Sequence, residues 1–229
     1  DKGNRVRAVL RADGAPVESA GIGTMSKSKN NGVDPGQLIE QYGADTARLY
    51  MMFTSPPEMT LEWSDSGVEG ATRFLRRLWA LAHQYQGGRG AQSFAWSQLL
   101  GDAKEVRREI HQLLKQANHD IGRLQINTVI SACMKMLNAM SELAGSKVDT
   151  GPAPQAVIRE GLSIVLRLLH PVCPHITHAL WRELGYGEDI IAGAWPEPDE
   201  AALHAERVEI VVQVNGKLRD RITVSASIT

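Results

Sequence analysis

From Val68 to Leu184, apolar residues recur three and four positions apart in one segment after another, a period that gathers them on a single face only in a helix. Val68 to Gln86 carries Phe74, Leu75, Leu78, Leu81 and Ala82 on such a stripe, and Gly87-Gly88-Arg89-Gly90 stops it. Leu99 to Ile121 repeats the pattern with Val106, Ile110, Leu113, Leu114 and Ala117. A third segment runs from about Asn127 to Ala144. A fourth, Gln155 to Leu169, is approached through Gly151-Pro152-Ala153-Pro154 and ends at His170-Pro171, and a shorter one covers Ile176 to Leu184. A helix with one apolar stripe must bury it, and short connections put successive helices side by side. The pattern predicts a mainly α fold, an antiparallel helical bundle over residues 67–195.

The flanks read differently. Arg5-Val6-Arg7-Ala8-Val9-Leu10-Arg11 alternates as a half-buried strand does, Asp13-Gly14 is a turn signal and Pro16-Val17-Glu18-Ser19 returns, so residues 1–20 predict a hairpin. Residues 21–36 are a polar loop, and Asp34-Pro35 supplies an N-cap and a first helical position. Gly43 interrupts that helix, Ala44 to Phe53 resumes it, and Ser55-Pro56-Pro57 ends it, which makes 21–66 a segment ahead of the bundle. Past a linker at 196–205, whose first half is rich in Pro, Glu and Asp, Val208, Ile210, Val212 and Val214 alternate with other residues. Asn215-Gly216 then precedes Leu218, Ile222 and Val224, a strong hairpin signal. A lone hairpin is marginal in water, so 206–229 predicts the start of a small α+β domain that the sequence cuts short.

Composition excludes more than it identifies. The net charge of −1 gives no whole-chain argument for a nucleic-acid partner, so any such argument rests on local clusters. Cys133 and Cys173 fit no disulfide framework, which predicts a cytoplasmic setting. No apolar run approaches the roughly 18 residues of a membrane span, so no membrane partner is expected. The opening Asp1-Lys2-Gly3-Asn4, without methionine, reads as an excerpt of a longer protein.

The stretch Gly23-Thr24-Met25-Ser26-Lys27-Ser28-Lys29-Asn30-Asn31-Gly32-Val33-Asp34-Pro35 is too polar to pack. Glycines let backbone N–H groups turn toward an anion, and lysines add point charges. By composition it is either a phosphate-handling loop or a solvated one. Residue order goes further: Met25-Ser26-Lys27-Ser28 resembles the KMSKS signature of class I aminoacyl-tRNA synthetases, with Thr24 where the signature opens on lysine. Asn30 to Pro35 and Tyr42-Gly43-Ala44-Asp45-Thr46-Ala47-Arg48 continue the class I pattern. Ser55 to Trp63, Gly67 to Trp79, His170 to Leu184 and Val212 to Arg219 are similar to bacterial-type leucyl-tRNA synthetases. Valyl and isoleucyl relatives share the Gly-Ala-Asp step and diverge after it. The resemblance runs from about residue 20 to the end, and position assigns 1–20 to the edge of a catalytic or leucine-specific region.

The resemblance implies that the full-length parent is a leucine–tRNA ligase. It would activate leucine with ATP, carried as its Mg²⁺ complex, to leucyl-adenylate, and transfer the leucine to tRNA(Leu). Met25, Ser26, Lys27 and Ser28 would contact ATP, with Lys27 the catalytic cation facing the departing pyrophosphate. The bundle would be of the class I anticodon-binding type and would bind tRNA. The piece carries no His-Ile-Gly-His-type motif and no nucleotide-binding crossover, so alone it is expected to be inactive and to bind no metal. Two other readings are a freestanding helical RNA-binding module and a valyl, isoleucyl or methionyl synthetase.

Smaller clusters carry two readings each. Arg73, Arg76 and Arg77 ahead of Trp79 are a tRNA-binding turn or a solvated helix face. Lys217, Arg219 and Arg221 face tRNA or guard an edge strand. Arg48 meets nucleic acid, Asp45 or a neighbouring domain. Lys104, Arg107 and Arg108 lie among Glu105 and Glu109, as in surface i,i+4 pairing. His170, Cys173, His175 and His178 are better explained by the Pro171 and Pro174 helix start than as zinc ligands. Trp63 and Trp181 read as packing residues.

Overall fold

The computed structural model describes residues 8–9, 12–17, 23–56, 58–86, 94–146, 151–204, 207–214 and 217–225. It divides into two compact units, Asp1–Leu38 and Ile39–Thr229. In the first, β1 (Ala8–Val9) pairs antiparallel with β2 (Pro16–Val17), with Ala8 opposite Val17 and Val9 opposite Pro16. The turn between them uses Gly14 at φ +72°, and Asp13 Oδ1 accepts from the Ala15 N–H at 2.9 Å. The outer parts of the expected strands, residues 5–7 and 18–19, lie outside the described residues.

In the second unit helices pack on helices. They are α1 (Pro35–Tyr42, which begins in the first unit), α2 (Ala44–Thr54), α3 (Asp65–Gln84), α4 (Gly101–Ile121), α5 (Ile126–Gly145), α6 (Pro152–Leu169), α7 (Pro174–Glu183) and α8 (Glu200–Leu203). α4, α5 and α6 pack mutually, and α2 joins α3, α5 and α7. None of the described helices is long and apolar enough to cross a membrane. Helices α3 and α6 each begin three residues before the expected apolar segment, and each has a reason at its N-terminus. Ser64 caps α3 by accepting the Gly67 N–H. Pro152 and Pro154 occupy the first turn of α6, where a missing N–H costs nothing.

Tyr50 on α2 anchors the approach to α3. Its ring is almost fully buried, its hydroxyl accepts from the Ser64 N–H at 2.7 Å and donates to Glu62 O at 3.2 Å, and Trp63 packs on it edge-on. Gly67 gives the ring room: a Cβ there would lie 2.6 Å from Tyr50 Cε2.

The buried face of α4 departs from expectation. Ala103, Arg107, Ile110, His111, Leu114, Ala117 and Asp120 are buried, while Val106 and Leu113 are only half-buried. Surface pairing holds for Arg108, which bonds Glu105 at 2.7 Å, and fails for Arg107. Position 107 falls on the same turn-spaced row as Ala103, Ile110 and Leu114, so its charge needs partners within the core. Arg107 Nε and Nη2 donate to Glu160 on α6 at 2.7 and 2.8 Å, Nη2 also donates to Asp199 at 2.8 Å, and the guanidinium lies 3.9 Å over the Trp96 ring. His111 Nδ1 accepts the Asp199 N–H at 3.0 Å, which leaves Nε2 3.3 Å from Glu160 Oε1.

The same partners dock residues 195–200 on α4. Asn118 accepts from Trp195 Nε1 at 2.9 Å and donates to Pro196 O at 3.0 Å, and Lys115 pairs with Glu200 at 3.5 Å. Beyond them β3 (Arg207–Val214) pairs antiparallel with β4 (Lys217–Ser225), Arg207 opposite Ser225, with a register shift between Val212 and Gln213. The Asn215-Gly216 turn lies outside the described residues.

Two outcomes follow from this packing. Gly67→Ala forces a methyl into the doubly bonded Tyr50 ring, and thermal or urea unfolding should show a loss of about 1–3 kcal/mol. Parent-like stability would mean that the ring moves freely. The second outcome concerns acid. Burial opposes ionisation of Glu160, but hydrogen bonds with His111 and Arg107 outweigh it and hold the carboxyl below its usual range. The Arg107 hydrogen bond does the same for Asp199. Lowered folded pKa values give stability that is fully present above the unfolded carboxylate range near about 4 and is lost as pH falls through the folded values. Glu160→Gln should lower the melting temperature near neutrality and flatten the acid limb of its pH profile. An unchanged acid limb would exclude this pair as its source.

Candidate active-site loop and nucleic-acid interface

The polar loop has a defined scaffold. Lys27–Lys29 form a 3₁₀ turn, closed by the Lys29 N–H donating to Ser26 O at 3.2 Å. Asn31 bridges the loop: its Oδ1 accepts the Ser26 N–H at 2.9 Å and its Nδ2 donates to Thr24 O at 3.3 Å. Asn30 makes the reversal at φ 47°, a conformation asparagine tolerates. Ser26 and Ser28 hydroxyls lie 3.2 Å apart. Downstream, Asp34 Oδ1 accepts from the Gly36 and Gln37 N–H groups at 2.7 and 3.1 Å, an N-cap with Pro35 in the first helical position. Met25, Ser28 and Lys29 are exposed and Ser26 is half-buried, so the loop presents hydroxyls and backbone rather than burying them. Lys27 opens the turn, and its side chain is not among those described. Asn31 is the residue sequence reading passed over. An Asn five positions after a Ser in a glycine-flanked loop was the signal available.

A second feature is an open groove of about 840 Å³ lined by the start of α2, one face of α3 and the first turn of α7. Its cations come from the basic turn of α3, and the three arginines separate. Arg73 lies 3.8 Å from Glu69 one turn back, and Arg77 Nη2 donates to Asn138 Oδ1 on α5 at 2.7 Å. Arg76 is exposed, lines the groove and makes no ion pair among the described residues. Trp79 lines it too, partly exposed, its ring 4.7 Å from that of His83. Of the hairpin cations, Arg219 is exposed, whereas the side chain of Lys217 is not among those described.

The α2–α7 junction consumes Arg48 internally. Its guanidinium donates to Val172 O at 2.8 Å and Pro171 O at 2.9 Å, so its internal partners are these carbonyls rather than Asp45. Asp45 serves α7 instead, accepting from the Ile176 N–H at 2.7 Å and the His175 N–H at 3.4 Å, with His175 Nδ1 2.9 Å away. Sequence reading missed this role because the partners lie 130 positions away. Cys173 is buried and its thiol, 3.6 Å from Asp45 O, is pushed up to about 12 by burial and then by the Asp45 charge. His170 Nδ1 lies 2.9 Å from Thr177 Oγ1, and burial first, then His178, lowers its pKa. The described residues contain no group of three or more His, Cys, Asp or Glu able to hold a metal.

Comparison with known proteins bears on both features. Residues 103–229 match the family described as the anticodon-binding domain of tRNA ligase, and residues 17–64 match class I tRNA synthetases (I, L, M and V). The chain is 56% identical to the leucine–tRNA ligase of Bordetella pertussis (strain Tohama I) over 231 residues, 98% of its own length. It is 56% identical to that of Janthinobacterium sp. (strain Marseille) and 54% to that of Leptothrix cholodnii, over 98% and 99% of its length. It spans about a quarter, 26%, of each of these relatives. Among solved structures it is similar to one of a ternary complex of Agrobacterium radiobacter agnB2 LeuRS, tRNA and LeuAMS. There the TM-score is 0.77 and the identity 27%, covering 90% of this chain and 26% of that one.

The loop scaffold has a direct check. Asn31→Ala removes the acceptor of the Ser26 N–H, and amide hydrogen exchange at Ser26 should accelerate about three- to tenfold, the effect of one ordinary hydrogen bond. No change in exchange would show that Asn31 does not hold the loop.

Proposed function

Because the chain belongs to the anticodon-binding domain family of tRNA ligases, we propose that it is part of a leucine–tRNA ligase and supplies one ATP-contacting loop and much of its tRNA-binding surface. The observation that carries this reading is 54–56% identity to leucine–tRNA ligases over 98% or more of the chain. In the full-length enzyme the leucine carboxylate attacks the α-phosphorus of ATP, which enters with Mg²⁺ as substrate, and displaces pyrophosphate. The leucyl-adenylate then passes leucine to a terminal hydroxyl of tRNA(Leu) and releases AMP. Lys27 on the 3₁₀ turn is the catalytic cation of this segment. Negative charge grows on the departing pyrophosphate, so an ammonium directed there stabilises the transition state more than the ground state. Met25, Ser26 and Ser28 complete the ATP contact. The Asn31 bridge supports this by setting the course of the backbone on both sides of the turn.

Residues 21–66 serve as loop and stem-contact segment, 67–195 as the tRNA-binding bundle, and 206–229 as the opening of a small α+β domain in a cytoplasmic enzyme. Arg73, Arg76, Arg77, Lys217 and Arg219 are its tRNA contacts, and Arg76, without an ion-pair partner among the described residues, is the leading one. Contacts to phosphates position RNA without reading its sequence.

In the full-length enzyme, Lys27→Ala should slow leucine-dependent ATP–pyrophosphate exchange about 10²–10³-fold, mainly in kcat. Undiminished exchange would make the loop a solvated one. The isolated 229-residue chain should give no exchange at all. For tRNA, Arg76→Ala should flatten the log–log salt dependence of binding by a little under one unit, and Arg73→Ala, already paired, by less. Equal slopes for the parent and both variants would move the interface elsewhere.

A further inference from the structure

We propose that the groove between α2, α3 and α7 takes the sugar–phosphate backbone of RNA and that His175 Nε2 accepts a hydrogen bond from a ribose 2′-hydroxyl there. This rests on the reading that tRNA lies against the basic face of α3.

The assignment starts from a proton. The Asp45 side chain is 11% exposed and its two oxygens already receive the Ile176 and His175 N–H groups, while His175 Nδ1 lies 2.9 Å from Oδ1. A carboxylate only accepts, so Nδ1 carries a proton, and in the neutral imidazole Nε2 then keeps the lone pair. The imidazole is therefore oriented by a buried partner although its side chain is 78% exposed. An exposed histidine with no such tether has neither its tautomer nor its direction fixed. Here a single acceptor is held at the rim of a groove whose exposed side chains also include Arg76, Gln41, the Trp79 ring and Arg73, the last paired with the exposed carboxylate of Glu69 at 3.8 Å.

An acceptor in that position discriminates. A phosphate oxygen is itself an acceptor and gains nothing from Nε2, and a deoxyribose offers no donor. A 2′-hydroxyl donates, and it is the group that separates RNA from DNA at a given site. Arg76 supplies charge for the adjoining phosphate, and the ring of Trp79 supplies a surface for the sugar. Asp45 directs its oxygens at the His175 and Ile176 N–H groups and the His175 ring, and its side chain is largely buried rather than facing the groove's solvent.

The test uses the full-length ligase and an unmodified tRNA(Leu) transcript, with a matched pool carrying single 2′-deoxynucleotides, at about pH 8, above the ordinary imidazole range. For the parent, deoxy substitution should weaken binding about three- to tenfold at one or more positions, the effect of one hydrogen bond. At one such position the penalty should vanish in His175→Ala. It should also vanish in Asp45→Asn, whose amide N–H faces Nδ1 and shifts the ring proton to Nε2. His175→Ala should melt with the parent, because both backbone bonds to Asp45 survive. Identical interference maps for the parent and both variants would overturn the hydroxyl assignment. Arg76→Glu separates the two levels. If it weakens tRNA binding while the maps stay identical, the groove holds the backbone and only the His175 role fails. If it leaves tRNA affinity unchanged, the groove does not face tRNA and the proposal falls with it.

Discussion

One turn of α2 holds together a break in the chain more than 120 residues away. Between α6 and α7 the backbone turns, leaving carbonyls behind and N–H groups ahead without helical partners. Arg48 takes the carbonyls of Pro171 and Val172, and Asp45, three residues earlier, takes the first N–H groups of α7. A cation and an anion one turn apart thus satisfy opposite ends of two successive helices. The arrangement fixes α7 against α2, and the groove along α3 exists because of that junction.

The second constraint is the charge cluster around Arg107. Placing a guanidinium on the buried row of α4 would cost several kcal/mol if it were left unpaired. Glu160, Asp199 and the Trp96 ring remove that cost, and they come from three separate parts of the chain. The cluster therefore fixes how α4 meets α6 and where the segment after α7 returns. A purely apolar stripe would permit small rotations of α4, whereas bidentate geometry does not.

Helix periodicity made the bundle legible, since Leu75, Leu78, Leu81, Ile110, Leu114 and Leu162 are buried as their spacing demands. The Asp34-Pro35 start was legible too, because a cap and its N–H partners lie within one turn. What the sequence concealed is long-range polar pairing. Arg107 and Glu105 look alike in a charged run, and only the phase relative to Ile110 and Leu114 distinguishes the buried one. A local pair with Asp45 is one of the readings the sequence allows for Arg48, yet both residues bond to residues beyond position 170. At the loop, residue order carried the family resemblance, but the Asn31 bridge that shapes it depends on backbone geometry no motif encodes.

The strap at 195–200 has a mechanical consequence. Its anchors on Asn118, Arg107, His111 and Lys115 continue into α8, and Asp199 caps that helix through the Ala201 N–H. Only three residue steps separate His204 from Arg207, where β3 begins, and an extended chain covers at most about 11 Å in that distance. The β3–β4 pair is therefore tethered at short radius, and any group on its surface is kept at high local concentration near the bundle.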